Sequence, residues 1–182
     1  MVAMTAILRD REWTRADRDA LPEDGKRYEI LDGALLVTPS PAPGHQIVLM
    51  GLIRQLDGAC PSHLRLLTAP LDVTLDERTI LQPDLLVVRR DRIEDRGVRD
   101  RPELAVEILS PSTQRVDRTL KLERYQRAGT PAYWLADPKA LTLTAYELVD
   151  GDLREVAHVT AGASWTATTP YVVTITPGIW LD

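Results

Sequence analysis

Apolar residues in this chain switch between strand-like and helical spacing, and the switches divide it into elements. Residues 13–21, WTRADRDAL, predict a short helix capped by Thr14. RYEILDGALLVT then carries two apolar stretches around Asp32-Gly33, a hairpin signal. The segment PSPAPG, 39–44, predicts a rigid, non-helical connector. From His45 to about Ala59 the spacing becomes helical, with His45, Leu49, Leu52 and Leu56 on one stripe. LDVTLDE (71–77) alternates as a strand does, and DLLVV (84–88) and ELAVEIL (103–109) are two further apolar runs. The charged segment RRDRIEDRGVRDR lies between those two runs and predicts a solvated loop. Ser110-Pro111-Ser112-Thr113 ends the third strand and offers caps for a helix over roughly 114–128, closed by Gly129. PAYWLAD predicts a short strand, LTLTAYELVDGDLREVAHV a hairpin around Asp150-Gly151, and YVVTITPGIWLD a tail.

The central order is helix, three strands, helix, strand. That predicts an α/β core with a mixed central sheet and added β-hairpins. A chain of 182 residues suits one domain, 1–182, with its core over about 27–140, the N-terminal helix at 13–21 and the hairpin and tail over 141–182.

Composition narrows the classes. Hydrophobic content of 44% and charge of 27% suit a folded soluble protein, and no apolar run is long enough to cross a bilayer. The N-terminus lacks the basic and long apolar regions of a signal peptide. A single cysteine, Cys60, excludes an internal disulfide and a cysteine-based zinc cluster, and fits a reducing, cytoplasmic setting. The net charge of −5 argues against a bulk nucleic-acid coat protein but leaves a nuclease open. All but three of the 22 basic side chains are arginine, so Lys26, Lys121 and Lys139 each invite attention.

The chemistry concentrates on two strands and a helix. Asp84 follows Pro83 at a strand entrance, and Glu107 lies inside the next strand among Ala, Val, Ile and Leu. Alternation puts Glu103, Ala105, Glu107 and Leu109 on one face, with Leu104, Val106 and Ile108 on the other. If neighbouring strands bring the two acids to about 4–5 Å, they repel by roughly 3–4 kcal/mol at an effective dielectric near 20. A divalent cation offsets that repulsion, and hard oxygen ligands suit Mg²⁺ or Mn²⁺. Lys121 is the second source of positive charge: a helical projection places it on one arc with Asp117, Tyr125 and Ala128. Paired with a carboxylate, it can approach a phosphate or position the attacking water.

Here the sequence resembles a known group. QPDLLVV, LAVEILSPST and DRTLKLERYQRAGTPAYWLADP are similar to the Uma-type restriction endonuclease family of the PD-(D/E)XK nuclease superfamily, as are YEILDG and PSPAPGHQ nearer the N-terminus. The likeness runs from about residue 13 to 182. It implies a restriction-endonuclease-like fold and phosphodiester hydrolysis with one or two divalent ions. Asp84 and Glu107 would be ligands, and Lys121 would stabilise charge on the phosphate or help orient water. Glu29 of YEILDG matches a family acid that would complete the metal site, and His45 matches a position at the start of the first core helix. One departure stands out. The superfamily lysine usually lies two residues after the second acid, where this chain has Leu109, so Lys121 must substitute from the following helix.

Plainer roles compete at several positions. Glu29 can pair with Arg27, and His45 can serve as a core or capping histidine. Asp72 and Asp76 are expected to face solvent, and Ser110–Thr113 to cap a helix, although amides there can also hold a phosphate. The arginines between Arg89 and Arg101 are expected to be solvated, with a phosphate-contacting edge as the alternative. The expected activity is metal-dependent cutting of DNA, preferably duplex, by a homodimer with two symmetric sites. Two rivals are a non-catalytic DNA- or partner-binding module on a nuclease fold, and an enzyme acting on RNA or another nucleotide phosphodiester.

Overall fold

The computed structural model describes residues 5–182. Its core sheet has six strands in the spatial order Asp152–Val159, Thr142–Val149, Ala132–Asp137, Leu104–Ile108, Leu85–Arg89, Leu64–Thr68. Only Leu104–Ile108 and Ala132–Asp137 pair in parallel within it, joined by a helical crossover that fits a parallel connection. A second sheet of seven strands is built around the Arg27–Leu31 and Ala34–Thr38 hairpin. The chain passes from this sheet to the core sheet between Thr79–Leu81 and Leu85–Arg89, through Gln82-Pro83-Asp84. A third, two-stranded sheet pairs Trp165–Ala167 with Val173–Ile175.

Both Asp-Gly turns form as expected. Asp32 and Gly33 have φ of 50° and 78°, and Asp150 and Gly151 have 54° and 87°. Positive φ at both central positions suits the right-handed twist of the flanking strands, and Gly supplies it without strain.

The two faces of the core sheet follow the alternation read from ELAVEIL. Leu104, Val106 and Ile108 join Val48, Leu52, Leu56, Trp134 and Trp180 beneath the helix Pro43–Asp57. Ala105 and Leu109 face the opposite side with Tyr125, Tyr133 and Leu135. At Gly51 the C-terminal segment approaches so closely that a Cβ would stand 2.5 Å from Trp180 Cα, which fixes the tail against this helix.

Four expectations need correction. The helix expected from His45 begins at Pro43, inside the connector read as non-helical, because proline is well tolerated in a first turn where its missing N–H has no partner anyway. Strand 71–77 shortens to Val73–Asp76 and belongs to the second sheet; the first core strand after the helix is Leu64–Thr68, a run not anticipated. The helix expected over 114–128 is α-helical over Gln114–Val116 and Leu122–Arg127, with a π-helical segment, Asp117–Lys121, between them. The arginine-rich connection is a 3₁₀ turn and a short hairpin, whose strand Gly97–Arg99 pairs in parallel with Val73–Asp76. No helix among the described residues is long and apolar enough to cross a membrane.

Candidate active site

Asp84 stands at the point where the chain enters the core sheet, held from three directions. The Ile108 amide donates to Oδ2 at 2.8 Å, and the His45 ring lies 2.9 Å from the same oxygen through Nε2. Arg27, from the second sheet, brings Nη2 to 2.8 Å of Oδ1. That contact is an ion pair without hydrogen-bond alignment, and Oδ1 is a buried oxygen with no hydrogen-bond partner. Burial works to raise the Asp84 carboxyl, but the His45 hydrogen bond and the Arg27 charge outweigh it and hold the group well below the ordinary carboxylate range.

Glu107 lies on the neighbouring strand. The antiparallel register pairs Ala105 with Leu86 and Val106 with Leu85, and its continuation sets Glu107 opposite Asp84 on the same face. Lys121 descends onto that face from the π-helical segment. Its ammonium lies 3.0 Å from Glu107 Oε1, 3.1 Å from Glu29 Oε1 and 3.8 Å from Asp117 Oδ1. Glu29 Oε1 also accepts from the Gln82 amide at 2.7 Å.

Burial makes these charges strongly interdependent. Asp84, Glu107, Asp117 and Lys121 are 3%, 2%, 1% and 3% exposed, and Glu29 is 1% exposed. Burial pushes the Glu107 carboxyl well above its ordinary value; Lys121 opposes the rise, while Asp117, Asp84 and Glu29 add to it. Asp117 is pushed up to about 6, again by burial against the pull of Lys121. Burial would neutralise Lys121, yet Glu107, Glu29 and Asp117 outweigh it and keep the ammonium charged. Held by these carboxylates, Lys121 stands in the cleft as a charged hydrogen-bond donor.

All five side chains singled out in the sequence, Asp84, Glu107, Lys121, Glu29 and His45, line one cleft of about 430 Å³. Its walls include Pro39, Ser40 and Pro41 on one side, and Ser110, Ser112, Thr113, Pro138 and Lys139 on another. Three charged residues of the cleft were not expected there, Arg27, Asp117 and Lys139. Arg27 precedes Glu29 by two on the same strand, a same-face spacing. Asp117 precedes Lys121 by four on its helix. Asp72, expected to face solvent, instead takes Arg15 and Arg18 at 2.8 and 2.6 Å and Gln82 at 2.9 Å, tying the N-terminal helix, found over Arg15–Asp19, to the second sheet. Asp76 pairs with Arg124.

Among the described residues, no group of three His, Cys, Asp or Glu side chains is placed to hold a metal ion unaided. The donor set still fits a hard divalent cation. Mg²⁺ keeps several waters and needs only one or two carboxylates. Four buried carboxylates, Glu29, Asp84, Glu107 and Asp117, face two permanent cations, Arg27 and Lys121, which leaves negative charge in excess. Asp117 Oδ1, buried without a hydrogen-bond partner, and Asp84 Oδ1, which has only the Arg27 ion pair, are consistent with that excess. Proton uptake at Glu107 and Asp117 lowers it when no cation is bound.

Comparison with known proteins gives this geometry a context. No curated protein matches the chain significantly. Among solved structures, one from Anabaena variabilis, titled a "putative nuclease belonging to DUF820", superposes with a TM-score of 0.68 at 21% identity, over 85% of this chain and 89% of that one. At that identity the likeness shows the fold, a restriction-endonuclease-like α/β core. Residues 15–177 match the model of the family described as "Uma2: Putative restriction endonuclease". A match over nearly the whole length places the chain in that family: it belongs to Uma2.

Proposed function

We propose that this protein is a metal-dependent endonuclease that hydrolyses DNA phosphodiester bonds in the cleft between Asp84, Glu107 and Lys121. The observation that carries the proposal is the junction of the two sheets, where two acids set opposite one another on one sheet face meet a buried, charged lysine. Asp84 and Glu107 would hold Mg²⁺ or Mn²⁺. When bound, such an ion polarises the phosphate and lowers the pKa of a coordinated water.

The remaining roles belong to the chain itself. His45 and the Ile108 amide fix the Asp84 rotamer, and Arg27 keeps it ionised and ready to ligate. Lys121 donates to a phosphate oxygen as negative charge grows there, which is worth most in a buried site. Glu29 holds Lys121 over the cleft, with its own Oε1 fixed by the Gln82 amide. Membership of a restriction endonuclease family favours DNA as the substrate, and two copies of the cleft in a homodimer would cut both strands of a duplex. A single cysteine supports a reducing, cytoplasmic setting for this activity.

Plasmid nicking with Mg²⁺, Mn²⁺ or EDTA tests the proposal. Metal-dependent nicking lost in Asp84→Asn is the expected result. DNA bound but never cut, under any metal or salt condition, would replace the endonuclease with a binding module. Cutting of RNA in preference to DNA would move the substrate and keep the chemistry.

A further inference from the structure

Asp117 is the one acid of the cluster that the proposed chemistry leaves without a task. It opens the π-helical segment that Lys121 closes, which brings the two side chains onto one side of the helix. π-helical turns displace backbone hydrogen bonds and recur at functional sites. Here the Tyr133 hydroxyl donates to the Asp117 carbonyl at 2.9 Å and pins the turn from the core sheet. The carboxylate itself is held less firmly, with the Thr113 side chain beside it. Asp117 Oδ1 is buried without a hydrogen-bond partner, 3.8 Å from the Lys121 ammonium and just beyond hydrogen-bond reach.

An acceptor left unpaired in a buried site is costly, so its persistence calls for a use. The other two partners of Lys121 show what that use is. Glu107 Oε1 is bonded to Lys121 and lies on the strand face that would carry a cation. Glu29 Oε1 already serves the Gln82 amide. Lys121 Nζ stands 3.0 Å from Glu107 Oε1, so a divalent cation held by Glu107 would repel it, and Lys121 would swing away on its flexible stem. The unpaired oxygen within its reach is Asp117 Oδ1.

We propose that Asp117 is the positioning residue for Lys121: it receives the ammonium when a cation takes Glu107, and aims it at the phosphate. Without a cation, Lys121 is the stand-in positive charge on Glu107. With one, it rests between Glu29 and Asp117, and its third N–H is free for substrate. This inference rests on the metal-dependent reading of the same cleft.

The test is Mn²⁺ affinity by calorimetry in wild type, Asp117→Asn, Lys121→Met and the double variant. Asp117→Asn leaves Lys121 locked on Glu107, so affinity falls about tenfold, the scale of an outer-shell partner. In the Lys121→Met background the same substitution changes affinity by no more than about twofold, because there is no ammonium left to receive. Asp117→Glu restores part of the loss. An equal loss in both backgrounds would mean that Asp117 acts by its charge alone and would overturn the inference, leaving the endonuclease intact. Wild type that binds no Mn²⁺ would overturn both. Lysine side-chain NMR of wild type needs no variant: saturating Mg²⁺ should move the Lys121 signal, and an unmoved signal would overturn the role of Asp117.

Discussion

Arg27 Nη2 stands 2.8 Å from Asp84 Oδ1, so a side chain of the second sheet compensates the acid at the entrance to the core sheet. Asp84 is almost fully buried and ionised, and the ion pair makes that state tolerable. Arg27→Met removes the charge and keeps the bulk. Breaking a buried pair from one side costs about 3 kcal/mol. The sign of its pH dependence follows from the depressed Asp84 pKa. Its contribution is present above the unfolded carboxylate value and is lost as pH falls through the folded one. Urea unfolding should therefore show a wild-type advantage at pH 7 that shrinks steadily below pH 4. An advantage independent of pH would assign Arg27 a packing role instead.

Much of this site is legible in the sequence. Period-two alternation in ELAVEIL puts Glu107 on the face where it is found, and a helical projection brings Lys121 to the same side. Arg27 was hidden because the same spacing that aligns it with Glu29 also permits a local pair. Its true partner is 57 positions away in sequence, across a sheet junction with no local signature. The second sheet escaped for the same reason: Ile30 pairs with Ile80 and Val73 with Val98, contacts that no window along the chain contains. The π-helical turn was invisible because a fixed α-helical projection has no place for it.

Asp117 makes the opposite pH prediction. Its carboxyl is raised to about 6, so the folded protein holds a proton that the unfolded chain releases at lower pH. Stability from this group is present below the unfolded value near 4 and is lost as pH rises through 6. Asp117→Asn should match wild type near pH 4 and exceed it above pH 6 by roughly 3 kcal/mol in metal-free buffer. Chemical denaturation at both pH values checks this. Wild type remaining the more stable protein at pH 7 would show that Lys121 already satisfies Asp117 in full.

Metal should stabilise the fold, because the cluster carries more carboxylates than permanent cations. A ligand at a hundred times its Kd adds about 2.7 kcal/mol, which for a chain of this size is a rise of roughly 5–10 °C in Tm. Thermal unfolding with millimolar Mn²⁺ against EDTA measures it. Asp84→Asn should remove most of the rise, since it deletes a ligand. Equal shifts in variant and wild type would place the ion elsewhere.

Lys121→Met separates stability from catalysis in one substitution. The methionine keeps the stem and removes the ammonium that Glu29, Glu107 and Asp117 share. Three buried acids left without it should cost about 3–5 kcal/mol in metal-free buffer. Mn²⁺ then has no competitor for Glu107, so its stabilising effect should be larger in the variant than in wild type. Nicking should move the other way, falling by about 10²–10³ at saturating metal, as expected when one donor to developing charge is lost. The two readouts diverge only if Lys121 both competes with the cation and serves the phosphate. A variant that binds Mn²⁺ more tightly and cuts as fast as wild type would leave Lys121 a purely structural charge, and another donor, Lys139 on the cleft wall first, would have to serve the phosphate.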